Sequence, residues 1–229
     1  VLLLALFASL GLAVWVYFFT GVLNVTVVEV RGNHQLDTGY IVQLSQVNAS
    51  THLLRMDKGE VVANLKRDPW IKSASVERHF PSRVVLEVEE RVPVAQVASS
   101  EGYFLVDETG CLIAGCDAPR KGLLLLEGLP LEGLEPGRNL GCPEFELARV
   151  TISEMPEGLK ERMSALRISP GKKIVLVAKE GFYVYLGEGE DLARKMEVAL
   201  LIIEEVLRRY GAIEYIDVTV PENPVIKPR

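Results

Sequence analysis

From Val1 to Val28 the chain carries no charged residue, and Val1 to Leu23 is apolar apart from Ser9, Thr20 and two glycines. A helix of this composition has no polar face to turn to water, and even a buried core helix seldom lacks one. The hydrocarbon core of a bilayer takes about 20 apolar residues in helical form, which this run supplies. A cleaved secretory signal has a shorter apolar region, about 7–15 residues, and a small-residue cleavage site that is not evident here. The cluster Trp15, Tyr17, Phe18 and Phe19 falls near the C-terminal end of the run, where amphipathic rings favour the membrane–water interface. A single transmembrane helix over residues 1–23 is therefore expected, with a basic cytoplasmic segment ahead of Val1.

Beyond this run the chain is acidic. It has 31 Asp+Glu against 25 Lys+Arg, with no basic stripe, so it lacks the clustered cations that nucleic-acid phosphates demand. The three cysteines, Cys111, Cys116 and Cys142, are too few for a disulfide framework. They are compatible with simple burial, with one disulfide, or with a metal site. The last is the weakest reading, because Cys111 and Cys116 lack C-x-x-C spacing and no histidine is near them in sequence.

The folded part reads as α+β. Val25 to Val30 is a β-branched strand ending at the turn Arg31-Gly32-Asn33. Asp37 or Thr38 opens a helix with Ile41, Leu44 and Val47 on one face. Asp57-Lys58-Gly59-Glu60 opens a second, which must stop near Asp68-Pro69. Ile71–Phe80 and Val84–Arg91 are strands. The segment 24–92 is thus β-α-α-β-β, a three-stranded sheet with two helices on one face. Residues 93–220 form a second, mixed α+β domain with a mostly antiparallel sheet. Its clearest element is an amphipathic helix over Glu190–Tyr210, with Leu192, Met196, Leu200, Ile203, Leu207 and Tyr210 as the buried stripe and Gly211 as the stop. A strand over Ile213–Val220 leads to a proline-spotted tail, 221–229.

Catalytic constellations are hard to find. His34, His52 and His79 fit no H-x-x-x-H or H-x-x-E-H pattern, and there is no G-x-S-x-G elbow and no P-loop. Gly187-Glu188-Gly189 precedes a helix, but its acids would repel a phosphate and instead complement the helix dipole. Glu87, Glu89 and Arg91 alternate on one strand face. Neighbouring carboxylates serve acid/base chemistry only when a desolvated site raises a pKa, and no pocket wall is evident, so a solvated face is expected. No catalytic residue, cofactor or metal is expected.

Asp68-Pro69-Trp70-Ile71, with Ala74, Val76, Arg78, Pro81, Val85, Val88, Glu90-Arg91 and Pro93-Val94-Ala95, resembles the FtsQ/DivIB family of bacterial division proteins. Leu186-Gly187 and Tyr215-Ile216-Asp217 also look like that family. The resemblance implies a POTRA domain over 24–92, a β domain over 93–220, and a non-enzymatic scaffold in the cytoplasmic membrane at the septum, its bulk extracytoplasmic. It implies partners of the FtsB (DivIC) and FtsL types and a role in controlling septal peptidoglycan synthesis. The FtsB-type partner would join the C-terminal strands by strand addition. The contact residues it points to here are Tyr215, Asp217, Thr219 and Val220, then Val225, Ile226 and Lys227. Pro221, Pro224 and Pro228 each remove a backbone donor, so the stretch open to pairing must be short or bulged. Glu90, Arg91 and Pro93 match the interdomain junction motif and are expected to set the angle between the domains. A rival reading keeps the POTRA domain as a polypeptide-binding module for assembly or secretion. A third, an anchored cell-wall hydrolase, rests only on the surface carboxylates.

Overall fold

The computed structural model describes residues 2–19, 23–100, 102–131, 133–210 and 212–229. The first helix, α1 (Leu2–Phe19), has 18 residues, or about 27 Å at 1.5 Å per residue. Its described side chains, among them Phe7, Leu10, Leu12, Val14 and Trp15, are all exposed. Among the described residues no helix is long and apolar enough to cross a membrane. Part of the expected span, residues 1 and 20–22, lies outside the described residues, as do the side chains of Tyr17, Phe18 and Phe19.

The chain divides into two compact units, Val1–Arg91 and Val92–Arg229. In the first, β1 (Val27–Arg31), α2 (Thr38–Ser45), α3 (Lys58–Leu65), β2 (Ile71–His79) and β3 (Arg83–Glu90) build a sheet of order β1-β3-β2. The β1–β3 pair is parallel, so the chain must cross over between them, and the two helices are that crossover. Asp37 caps α2 by accepting from Gly39 and Tyr40 N–H, and Asp57 caps α3 through Gly59 N–H. Ile41, Leu53, Leu65, Val84 and Leu86 are fully buried between sheet and helices. Gly32 sits at φ +82°, where an added Cβ would lie 2.1 Å from the Val88 carbonyl oxygen, so the β1 turn admits only glycine.

The residues shared with the family motif are structural here. Asp68 Oδ1 accepts from Trp70 N–H at 2.9 Å while its Oδ2 accepts the Tyr40 hydroxyl at 2.7 Å. Arg78 donates to the Met56 carbonyl, and Arg91 N–H donates to the Trp70 carbonyl at 2.7 Å. On the helix-free face Glu87 and Glu89 are exposed, bonded by Ser75 and Ser73 across the β2–β3 pair. The Ser73 hydroxyl and then Lys72, 3.2 Å away, hold the Glu89 carboxyl below the usual range. An acid catalyst needs the opposite shift.

Glu90 does more. Its two carboxylate oxygens accept from Gln35 N–H at 2.7 Å and Leu36 N–H at 2.9 Å, fastening the end of β3 to the β1–α2 loop. Partial burial opposes its ionisation, but the N–H groups of Gln35, Leu36 and His34 outweigh it and lower the pKa.

The second unit holds β4 (Pro93–Ser99), β5 (Gly102–Asp107), β6 (Leu112–Cys116), β7 (Leu124–Glu127), α4 (Pro143–Glu154), α5 (Glu157–Lys160), β8 (Met163–Ser169), β9 (Lys173–Ala178), β10 (Tyr183–Gly187), α6 (Leu192–Tyr210), β11 (Ile213–Asp217) and β12 (Val225–Pro228). One nine-stranded sheet runs in the order β12-β11-β10-β9-β8-β7-β4-β5-β6. Only β4–β7, β7–β8 and β10–β11 pair in parallel. The last two of these connections carry α4 with α5, and α6. Val97, Leu126, Leu166, Leu176, Val184 and Ile216 join one core with these helices.

The stripe of α6 is Leu192, Met196, Ala199, Ile203 and Val206, with Leu200 only half-buried. Ala199 is fully buried where the pattern had placed Leu200, which packs at the margin of the same core. The side chains of Leu207 and Tyr210, and Gly211 itself, lie outside the described residues. Lys195, a charged residue on the same helix, is 6% exposed and donates to the Glu188 carbonyl at 3.1 Å.

The Glu90 bonds predict a particular pH dependence. A carboxyl whose folded pKa is depressed contributes stability above its unfolded pKa, about 4.3, and loses that contribution as pH falls through the lower folded value. Glu90→Gln should cost about 1–2 kcal/mol at pH 7, with the gap to the parent closing as pH drops below about 4.3. Urea melts across pH 2–8 would measure this, and a gap that does not vary with pH would contradict it.

Candidate partner-binding edge

The last residues do not form a tail. Val225–Pro228 is β12, antiparallel to β11, with Ile216 opposite Ile226 and Asp217 opposite Val225. Tyr215 and Asp217, expected on an exposed final strand, therefore lie on β11, which is paired with β10 on one side and β12 on the other. The open edge is β12. All four of its residues are exposed, Val225 at 51% and Ile226 at 37%. Thr219 and Val220 lie in the β11–β12 connector, both exposed.

The backbone direction of β12 follows from its register. Arg229 N–H donates inward to the Ala212 carbonyl at 3.3 Å, and alternation then points Val225 and Lys227 at β11. Pro224, Ile226 and Pro228 fall on the outward positions. Proline is tolerated on a sheet edge where its missing N–H would have faced solvent, and these two prolines occupy such places. The outer side of β12 thus offers one donor, Ile226 N–H, flanked by acceptors.

Several contacts hold this corner in shape. A bulge between Ile213 and Tyr215 lets Ile213 and Ile216, three residues apart, both point into the α6-covered core. Gly187 at φ +72° passes so close to Thr219 that an added Cβ would lie 2.8 Å from its methyl group. Arg194 on α6 pairs with Glu222 in the connector at 2.9 Å. Thr219 N–H donates to Asp217 Oδ1 at 2.9 Å, closing the end of β11. Lys227 pairs with Glu214 at 3.0 Å and lies 5.9 Å from the centre of the Tyr215 ring. The hydrogen bond that Lys227 donates to Glu214, and then the charge of that carboxylate, raise the Lys227 pKa.

The helix-free face beside the edge is aromatic. Tyr215 meets Tyr185 edge-on with ring centres 5.8 Å apart, and Tyr185 lies 6.4 Å from Tyr183. These two β10 tyrosines were not among the expected contact residues, although the alternation Tyr183-Val184-Tyr185 announces them. No group of three or more His, Cys, Asp or Glu is placed to hold a metal among the described residues.

Residues 23–91 match the family model described as the FtsQ-type POTRA domain, and residues 95–219 match that of the FtsQ/DivIB C-terminal domain. The chain belongs to the FtsQ/DivIB family of cell division proteins. Cell division protein FtsQ of Syntrophotalea carbinolica is 27% identical over 96% of this chain and 82% of its own. Cell division protein DivIB of Clostridium tetani is 24% identical over 89% of this chain and 78% of its own. A solved structure, the major extracytoplasmic domain of DivIB from Geobacillus stearothermophilus (trans isomer), aligns at 17% identity and a TM-score of 0.38. It covers 53% of this chain and 98% of that one. Of the FtsQ/DivIB motifs, Leu186-Gly187 and Tyr215-Ile216-Asp217 come together at this corner, whereas Glu90 and Arg91 bond within the first unit and Pro93 opens β4.

Gly187→Ala tests the corner. A side chain there is strained by its φ and collides with Thr219, so a loss of about 1–3 kcal/mol is expected. Chemical denaturation measures it, and unchanged stability would mean that the turn has room that the backbone does not show.

Proposed function

We propose that this FtsQ/DivIB-family chain is a membrane-anchored, non-enzymatic division scaffold. In this reading its extracytoplasmic units sit at the septum and gather FtsB (DivIC)-type and FtsL-type partners that control septal peptidoglycan synthesis. The observation that carries it is the exposed β12 edge, a short strand held in place on one side and open on the other. Such an edge recruits an extended segment through main-chain hydrogen bonds, with side-chain pockets setting specificity. Val225 and Ile226 add apolar area beside it. The anchor is supported by α1, whose described side chains are apolar or small and all exposed, a disposition that suits lipid better than water.

The paired prolines shape the partner as well. A strand docking on β12 meets acceptors either side of a single donor, so it must bring free N–H groups of its own and can pair over only a few residues. Lys227 and Tyr215 would lie beneath its side chains on the aromatic face.

Ile226→Asp tests the reading. It places a carboxylate on the strand that the partner must cover, yet alters an exposed side chain. Pull-down of the FtsB-type partner should fall at least about tenfold, with the melting temperature within about 2 °C of the parent. Unchanged capture would move the interface off this edge.

A further inference from the structure

The sheet of the first unit has two ends, and they differ in charge. The fold begins at Leu23, which is fully buried and whose carbonyl accepts Leu53 N–H at 2.8 Å. Four residue steps separate Leu23 from Phe19, the last residue of α1, a reach of at most about 15 Å. The chain therefore holds one end of this unit close to the end of α1. At that end β1 begins, parallel β3 begins beside it, and antiparallel β2 runs out into the Phe80-Pro81-Ser82 turn. The turn is tied to the incoming segment. Thr26 and Val27 N–H both donate to the Ser82 carbonyl, at 2.8 and 3.3 Å, and the Thr26 and Ser82 hydroxyls lie 2.8 Å apart.

This end is apolar and cationic. Phe80 at the tip of the turn is 61% exposed, and Val27 is 49% exposed. Arg83, opposite Val27 in the register, is exposed, as is Arg55 in the loop that bridges back to Asn24 through His52. Residues 24–27, 46–56 and 79–83 carry two arginines and two histidines and no carboxylate, in a chain whose net charge is −6. The nearest acids are set back from the tip. Glu29 and Glu77 stand on the next row of the sheet, 3.9 Å from Arg83 and 3.2 Å from His79, and Asp57 caps α3. At the opposite end of β3 stand Glu87, Glu89 and Glu90. An exposed ring flanked by guanidiniums suits a bilayer interface. Aromatic rings settle at headgroup level, and arginines pair with lipid phosphates.

We propose that this end of the first unit rests on the bilayer surface, with Phe80 among the headgroups and Arg55 and Arg83 against anionic lipid phosphates. The inference rests on the reading of α1 as an anchor. It goes further in making a folded unit, and not only a helix, an element that touches the membrane.

The test is quenching of tryptophan by lipid chains brominated near the headgroup, with the full chain reconstituted alone in vesicles rich in phosphatidylglycerol. The parent carries Trp15 in α1 and Trp70 beside the far end of β2, roughly 30 Å from the turn. Trp15→Phe silences the α1 reporter and leaves Trp70 as background. Adding Phe80→Trp moves the reporter to the turn, at an exposed position. Quenching is expected in the parent, lost in Trp15→Phe, and restored to at least about half its parental value by the turn reporter. Added salt, neutral lipid, or Arg55→Gln with Arg83→Gln should each lower the turn quenching at least about twofold. Salt needs no substitution, so it decides the matter should the arginine variant melt early. A parent without quenching would overturn the anchor reading and this contact together. A quenched parent with a silent turn would overturn the contact alone, leaving that end to water or to a protein. Turn quenching indifferent to salt and to lipid charge would overturn the role of anionic lipid.

Discussion

An open sheet ends twice, and at each end a row of N–H and C=O groups loses its partners. In this chain nine strands are laid side by side, and the way the last one ends governs most of what surrounds it. Pro224 and Pro228 stand on the outward positions of β12, so that a single N–H, that of Ile226, faces away from the sheet. The prolines cost no internal ladder bond, because both donors they delete would have pointed to solvent. They leave an edge that discourages indiscriminate pairing and, in the proposed reading, is open only to a short, donor-rich strand. The Gly187–Thr219 contact, the β11 bulge and the Arg194–Glu222 pair keep this edge in register with the α6-covered core.

The two units divide the work of holding shape by different means. The first is small and relies on directed polar fastenings: Asp68 to Trp70 and Tyr40, Arg78 to Met56, Glu90 to the β1–α2 loop. The second has a continuous apolar core under three helices and tolerates a polar, aromatic outer face. Directed hydrogen bonds demand particular residues, whereas an apolar core accepts many.

Much of this was legible in the residues themselves. The strands over Ile71–His79 and Arg83–Glu90 and the helix caps at Asp37 and Asp57 follow from alternation and capping chemistry. The solvated face of Glu87 and Glu89 follows from the same alternation. The edge itself was hidden. Three prolines in nine residues read as a tail, because proline opposes strand pairing on average, and only the register reveals that two of them face outward. The phase of α6 was also off at Leu200, since hydrophobicity ranks Leu above Ala while the helix buries Ala199 fully and Leu200 only in part. Lys195 was hidden for a related reason: its burial depends on the carbonyl of Glu188, a backbone group with no signature in the side-chain pattern.

The central claim is that the outward face of β12 is where a partner strand docks, and the exchange of one amide reports on it most directly. Hydrogen exchange at Ile226, read by nuclear magnetic resonance in the free chain and with the FtsB-type partner bound, makes the comparison. The account predicts fast exchange in the free chain and slowing by at least about 100-fold in the complex, as a solvent-facing donor enters a ladder. Saturating partner with Ile226 still exchanging at its free rate would contradict it.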